Sequence, residues 1–293
     1  MESSCTRRTR LVRAALGTAL VGGALVGVTT SAAQAAVAGT AVYDCTTPLG
    51  STVPVPVTVA ADALPTTAPA GLDVPAGAFP VDLSVLIPAA FGDTLGFLGV
   101  TGVGGSSNDL GFGLGDATVP LRGVTVPSTP VVTGQDTVLS VPTSTGAFTT
   151  PDAGTYPITM PDAFTFDALS QLGLPLGTLE CALAAGQDAT IGSLETTKQA
   201  STTRARAVKA KVPAGKKPVI SVTVVPETGG TPDGTVVVTK GTKTLGTGTL
   251  GDTGKARIAL PKMKPGRYKV AVQYAGDGAT EASATTASFT VVR

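Results

Sequence analysis

Along residues 201–293, apolar positions recur at every second residue in short runs separated by Gly, Pro and Asp, which is how strands with one buried face read. The clearest run is Tyr268, Val270, Val272 and Tyr274, with Arg267, Lys269 and Gln273 turned to water. Ile220, Val222 and Val224 form another inward set, and Val236 and Val238 follow Pro232-Asp233-Gly234. Leu245 and Leu250 flank Gly246 and Gly248, then come Ala256, Ile258 and Leu260, and after the Tyr268 run Ala287, Phe289 and Val291. At the start of the segment Ala205 and Ala207 alternate with Arg204 and Arg206; parity slips at Val208, and Ala210 and Val212 then alternate with Lys209 and Lys211. Such a slip marks a bulge or a switch between sheets. Seven strands in about 93 residues, with turn signals every 8 to 12, predict an immunoglobulin-type sandwich. Within it, Pro265-Gly266-Arg267-Tyr268 predicts a tyrosine corner, the Tyr268 hydroxyl bonding back to the turn.

Residues 36–200 show shorter alternating runs bounded by proline and predict a second β-rich, sandwich-like domain, so the fold class is all-β. Strands are expected over 53–59, 81–87, 118–126, 137–141 and 156–160. Prolines inside several of them point to edges or bulges rather than central pairing. Residues 88–98 are the best helix candidate, with Pro88 at its start, and the glycine-rich stretch 101–115 is expected to be a loop.

The N-terminus carries Arg7, Arg8, Arg10 and Arg13, then an apolar Gly/Ala-rich stretch over 14–28 and Ala33-Gln34-Ala35, which together predict a secretory leader cleaved at Ala35/Ala36. A retained membrane anchor is the alternative, but glycines and Thr18 interrupt a stretch shorter than the roughly 20 apolar residues of a spanning helix. The chain divides as leader 1–35, first domain 36–200 and second domain 201–293, with no membrane span expected after cleavage. Residues 288–293 read as a last strand, without an apolar tail or a sortase-type motif. Past the leader only Cys45 and Cys181 remain, and in an oxidising compartment they predict a disulfide, worth roughly 4 to 5 kcal/mol on a chain-entropy account.

The formal net charge of +1 conceals opposite domains. Residues 36–200 hold fourteen carboxylates against Arg122 and Lys198, whereas residues 201–293 hold fifteen Lys and Arg against five carboxylates. The row Arg204, Arg206, Lys209 and Lys211 is therefore the candidate site for an anionic cell-envelope polymer. A flexible basic tether, mutual neutralisation of the domains and a merely solvated face are its alternatives.

With no histidine in the chain, Ser/His/Asp and Cys/His catalytic arrangements and histidine-ligated zinc cannot be built. The sequence lacks a Gly-x-Ser-x-Gly elbow, a phosphate loop and Ser-x-x-Lys. Calcium is the one metal the oxygen ligands would suit. Asn108, Asp109 and Asp116 form the best cluster, but at spacings unlike an EF-hand loop, and they read first as turn residues, as does Asp277. No cofactor and no nucleic-acid partner is expected.

The series Pro232-Asp233-Gly234-Thr235-Val236, Gly254-Lys255-Ala256, Leu260-Pro261, Pro265-Gly266-Arg267-Tyr268 and Tyr274-Ala275-Gly276-Asp277 resembles the bacterial Ig-like repeats of secreted and surface proteins. The resemblance implies a spacer, adhesion or accessory module. Residues 43–50, Tyr43-Asp44-Cys45-Thr46-Thr47-Pro48-Leu49-Gly50, with Leu179-Glu180-Cys181, resemble an uncharacterised actinobacterial secreted β-rich domain often followed by such repeats; that resemblance implies no activity. The expected function is a secreted, non-catalytic protein that binds or spaces something at the cell envelope, with an anionic polymer or another surface protein as partner. Two alternatives are a glycoside hydrolase working through paired carboxylates and an apolar-ligand carrier built on Phe91, Leu95, Phe97 and Leu98. A cleft with two carboxylates 5 to 10 Å apart would favour the first, an apolar cavity the second, and a solid interior the spacer.

Overall fold

The computed structural model describes residues 34–293. The leader lies outside the described residues except at its end, where Gln34 and Ala35 pair with Pro65 and Leu64 before the ladder shifts and resumes at Val37. Period-two alternation becomes β1 (Gln34–Thr46), β2 (Thr52–Pro65), β3 (Thr67–Pro69), β4 (Asp73–Val74) and β5 (Pro80–Ile87). The helix α1 (Ala89–Phe97) follows, then β6 (Gly102–Ser107), β7 (Gly111–Leu114), β8 (Ala117–Arg122), β9 (Val124–Pro130) and β10 (Thr137–Thr145). The first set ends with β11 (Phe148–Thr149), β12 (Gly154–Thr159), β13 (Ala163–Ser170), β14 (Pro175–Leu183) and β15 (Thr190–Thr197).

Thirteen of these strands form one sheet in the order β3-β15-β12-β7-β8-β10-β5-β2-β1-β14-β13-β6-β9. Eight of them, from β10 to β9, curl until the terminal β9 lies against β10, and the remaining strands fold back so that β15 packs on β1. The result is a sandwich-like pair of curved layers cut from one continuous sheet. Near its middle, β1 and β14 are paired at only four positions, Tyr43–Leu183, Asp44–Ala182, Cys45–Cys181 and Thr46–Glu180. The two cysteines face each other there and are joined by a disulfide.

Three expectations change. Residues 101–115 are strands β6 and β7 rather than a loop. Their glycines are needed where neighbouring strands press close: at Gly105, whose φ is +151°, a Cβ would collide with the Asp167 carbonyl and the Phe166 ring, and at Gly111 it would stand 2.8 Å from the Val119 carbonyl. The prolines also sit in a sheet interior, but at local edges. Pro54 and Pro56 pair with β1 on one side, whereas β5 joins the other side of β2 only from Val57 onward. The missing N–H therefore costs no ladder bond. The single expected strand over 118–126 is broken into β8 and β9 at Gly123, whose φ is +63°.

The second set comprises β16 (Ser201–Ala207), β17 (Lys211–Pro213), β18 (Val219–Pro226), β19 (Thr235–Lys240), β20 (Lys243–Thr249), β21 (Lys255–Ala259), β22 (Gly266–Tyr274) and β23 (Ser283–Val292). A three-stranded sheet, β16-β18-β21, faces a five-stranded one, β17-β23-β22-β19-β20. The parity slip after Ala207 is thus a change of sheet, with β16 in one layer and β17 in the other. Ile220, Val222, Val236, Val238, Val270 and Tyr274 are the buried centre, and Tyr268 stacks on Phe289 with its hydroxyl donating to the Lys264 carbonyl at 2.8 Å. This core draws only on residues between 205 and 291.

That separation gives a stability prediction. Replacing Cys45 and Cys181 by Ser should lower the stability of the full chain by about 2 to 4 kcal/mol in urea unfolding. A chain of residues 201–293 should melt cooperatively and be indifferent to reductant. A reductant effect on that shorter chain, or none on the full chain, would contradict the assignment.

Candidate functional site

Three places gather side chains that could act on something else: the interior of the curled eight-stranded array, the junction around Gln199, and the outer face of the three-stranded sheet.

The array encloses a cavity of about 420 Å3, lined by side chains from all eight strands and by α1. Its walls are apolar: Phe164, Phe166, Leu139, Val126, Leu95 and the Cys45–Cys181 disulfide meet there. No carboxylate lines it, so the two-carboxylate geometry is not formed in this cavity. Phe91, Leu95 and Leu98 of the apolar cluster expected from sequence line it, whereas Phe97 points to solvent and is 91% exposed. The hydroxyls of Thr47 and Ser51, also in the wall, bond each other at 2.7 Å. The helix is fixed across this end of the array from outside: Pro88 has no capping side chain, and the Asp136 carboxylate instead accepts the Ala89 N–H at 2.8 Å while Asp93 accepts that of Gly134 at 2.6 Å. Beside the cavity, Tyr43 is fully buried, meets Phe164 edge-on at 4.9 Å and donates to the Pro161 carbonyl at 2.7 Å. A second, smaller cavity of about 100 Å3 lies among Leu64, Phe112, Leu114 and Phe148.

The candidate calcium residues do not assemble. Among the described residues no three Cys, Asp or Glu side chains gather in a way that could hold a metal ion, and Asp109 and Asp116 stand at opposite ends of β7. Asp109 accepts from the Thr165 N–H at 3.0 Å, the Thr165 hydroxyl at 2.8 Å and the Ser107 hydroxyl at 3.0 Å, clasping the β6–β7 turn to β13. Burial pushes its carboxyl up, but these donors outweigh it and hold the group below the usual carboxylate range. Asp116 sits in the turn between β7 and β8.

Between β15 and β16 the side chain of Gln199 is buried with every hydrogen-bonding site used. Its amide NH2 donates to the Ala70 carbonyl at 2.9 Å and the Gly229 carbonyl at 3.0 Å; its oxygen accepts from the Thr228 N–H at 2.9 Å and hydroxyl at 2.7 Å. The adjoining turn is shaped by Asp277, which accepts from the Tyr274 hydroxyl, the Asp233 N–H and the Ala279 N–H, each at 2.9 Å, and from the Thr280 N–H at 2.5 Å. That turn touches the first set of strands: Lys198 donates to the Asp277 carbonyl, and the Ala153 N–H donates to the Gly278 carbonyl at 3.1 Å. Burial raises the Asp277 carboxyl, yet the donors from Asp233, Tyr274, Thr280 and Ala279 prevail and depress it.

The basic residues expected as one row are divided. Arg204 and Arg206 are exposed on β16, Lys209 lies in the link after it, and Lys211 opens β17 in the other sheet. The register supplies different neighbours. Arg204 stands opposite Thr223, which stands opposite Lys255; Arg206 stands opposite Ser221, which stands opposite Arg257. Directly opposed residues share a face, so four exposed cations flank a Ser/Thr strip, about 10 Å apart across the sheet and 7 Å along it. The three strands carry no carboxylate. Lys255 and Arg257 are outward positions of a strand that alternation already marks, but their pairing with Arg204 and Arg206 depends on the order β16-β18-β21, which local patterning does not give.

Together these features define an all-β protein in which a cavity-bearing domain is packed against an Ig-like module. Residues 42–192 match the family of unknown function DUF6801 over more than half of the chain, and the protein belongs to that family. Residues 205–292 match the bacterial Ig-like domain, group 3. Among curated proteins none matches the chain. Of solved structures, the fibronectin(III)-like modules of Clostridium thermocellum CbhA share 14% identity, covering 80% of this chain and 93% of theirs, with a TM-score of 0.27. The D0-D1 domain of Intimin shares 16% over 77% of this chain and 94% of that one, TM-score 0.23. The BSP domain of a biofilm associated protein shares 10% over 73% and 48%, TM-score 0.24.

The Asp277 turn gives the second prediction. Because its folded carboxyl is depressed, its contribution is present above the ordinary carboxylate value and is lost as pH falls through the folded one. Melting temperature should therefore drop as pH falls below about 4. Asp277→Asn, which turns an NH2 toward donors, should cost about 1 to 3 kcal/mol at pH 7 and flatten that acid limb. An unchanged acid limb in the variant would show that the drop arises elsewhere.

Proposed function

We propose that this is an exported, non-catalytic binding protein of the cell envelope, whose Ig-like module holds it to an anionic polymer through the outer face of β16, β18 and β21. The observation that carries this reading is the pair of cross-sheet rows, Arg204-Thr223-Lys255 and Arg206-Ser221-Arg257, with no carboxylate on the three strands. A polymer bearing regularly spaced anions can meet several of these cations at once, and the short Ser and Thr side chains between them leave room for its backbone. Export is supported by the leader pattern and by the disulfide. Among the described residues no helix is long and apolar enough to cross a membrane. The non-catalytic reading draws on the Ig-like match and on a chain without histidine.

Retention of the full chain on purified cell walls should weaken steeply with salt, because exposed charges act over only about 8 Å at physiological ionic strength. Changing Arg204, Arg206, Lys255 and Arg257 together to Ser should lower retention on the order of tenfold. Changing Lys209 and Lys211 to Ser should have a smaller effect. Equal retention of the four-residue variant, or retention insensitive to salt, would remove this face as the site.

A further inference from the structure

We infer that the cavity of the eight-stranded array is a binding site for a neutral lipid carrying one linear aliphatic chain. Eight strands is the number whose curl leaves an interior that side chains either fill or open to one small ligand. Here they do not fill it: about 420 Å3 stays open, within the range of small-molecule sites and well above a void that persists dry inside a packed core. The wall selects the chemistry of the occupant. It is built mainly from aliphatic and aromatic side chains and a disulfide; its Thr47 and Ser51 hydroxyls bond each other and that of Thr94 donates to the Ala90 carbonyl, so little is offered to a polar body.

The mouth supplies an independent observation. Leu49, in the β1–β2 turn, and Leu98, after α1, line the cavity yet are 80% and 57% exposed. Pro175 and Leu176 of the β13–β14 hairpin line it too, and the same hairpin exposes Leu172 and Leu174. Exposed large apolar side chains thus concentrate on the three segments around one opening, which is where an aliphatic chain would pass between a lipid surface and the interior. Charge narrows the headgroup. Residues 36–200 hold fourteen carboxylates and two cations, so an anionic head is disfavoured, and no carboxylate lines the wall to pair with a cationic one, so a neutral head fits.

The test is displacement of the neutral fluorophore N-phenyl-1-naphthylamine from the full-length mature protein by 1-alkanols from hexanol to dodecanol. Affinity should rise about fourfold for each added methylene until the chain outgrows the cavity, then level off. The corresponding carboxylates should compete less well than the alcohols. Val85→Phe, which fills the wall, should move the break to shorter chains. Leu98→Glu, at an exposed position, should weaken probe and alkanol binding at least tenfold with an unchanged melting temperature. Absence of probe binding, affinity independent of chain length, or binding unaltered by Leu98→Glu would each overturn the assignment, whether or not Val85→Phe folds. Because the site is separate from the basic face, the variant lacking Arg204, Arg206, Lys255 and Arg257 should bind the alkanols normally, so failure of one proposal is distinguishable from failure of the other.

Discussion

The four-position seam between β1 and β14 is the constraint on which the first domain rests. On one side of it lie β2, β5 and β10, on the other β13, β6 and β9, and the two groups meet again where β9 packs against β10 without a ladder. The seam joins residues some 136 positions apart, so its closure entropy is large and its few backbone bonds have little to set against it. A cross-link between its directly opposed members, Cys45 and Cys181, removes most of that cost from the unfolded chain and fixes the register in which every neighbouring strand must pair. It does so in the cavity wall itself. One device thus holds the two halves of the array together and lets the space between them remain open.

The second domain solves a different problem. Its core of Ile220, Val222, Val236, Val238, Val270 and Tyr274 is closed, and hydrogen bonds of Gln199 and of the Asp277 turn attach it to the first domain. Gln199 spends all four of its hydrogen-bonding sites on groups from both sides of the junction, and the Asp277 turn presents Gly278 to Ala153. An amide with no spare site resists reorientation, because each lost bond leaves a buried polar group unpaired. The junction is therefore specified by geometry rather than by a flexible tether.

Much of this was readable from residue order. Alternation located the strands of the Ig-like module because each buries one face, and the parity slip after Ala207 announced the change of sheet. Pro88 and the apolar residues after it marked α1. Local pattern failed where tertiary contact decides. The glycines of 101–115 look like a loop until Phe166 and Asp167 are seen to press on Gly105 and demand a strand without side chains. The four basic residues after Ser201 look like one row, yet they divide between sheets, and Lys255 and Arg257 complete the face from fifty residues away. The cavity was foreshadowed only by Phe91, Leu95 and Leu98; its other walls come from strands whose inward residues read equally well as ordinary core.

An interior held open by the β1–β14 seam is the centre of this account, and diffraction from crystals of residues 36–293 under xenon pressure tests it most directly. The account predicts ordered xenon against Leu95, Leu139, Phe164 and the Cys45–Cys181 disulfide, since an apolar void of this size takes up xenon without displacing side chains. A cavity closed by Phe91 and Phe166, with no xenon in it, would contradict the account.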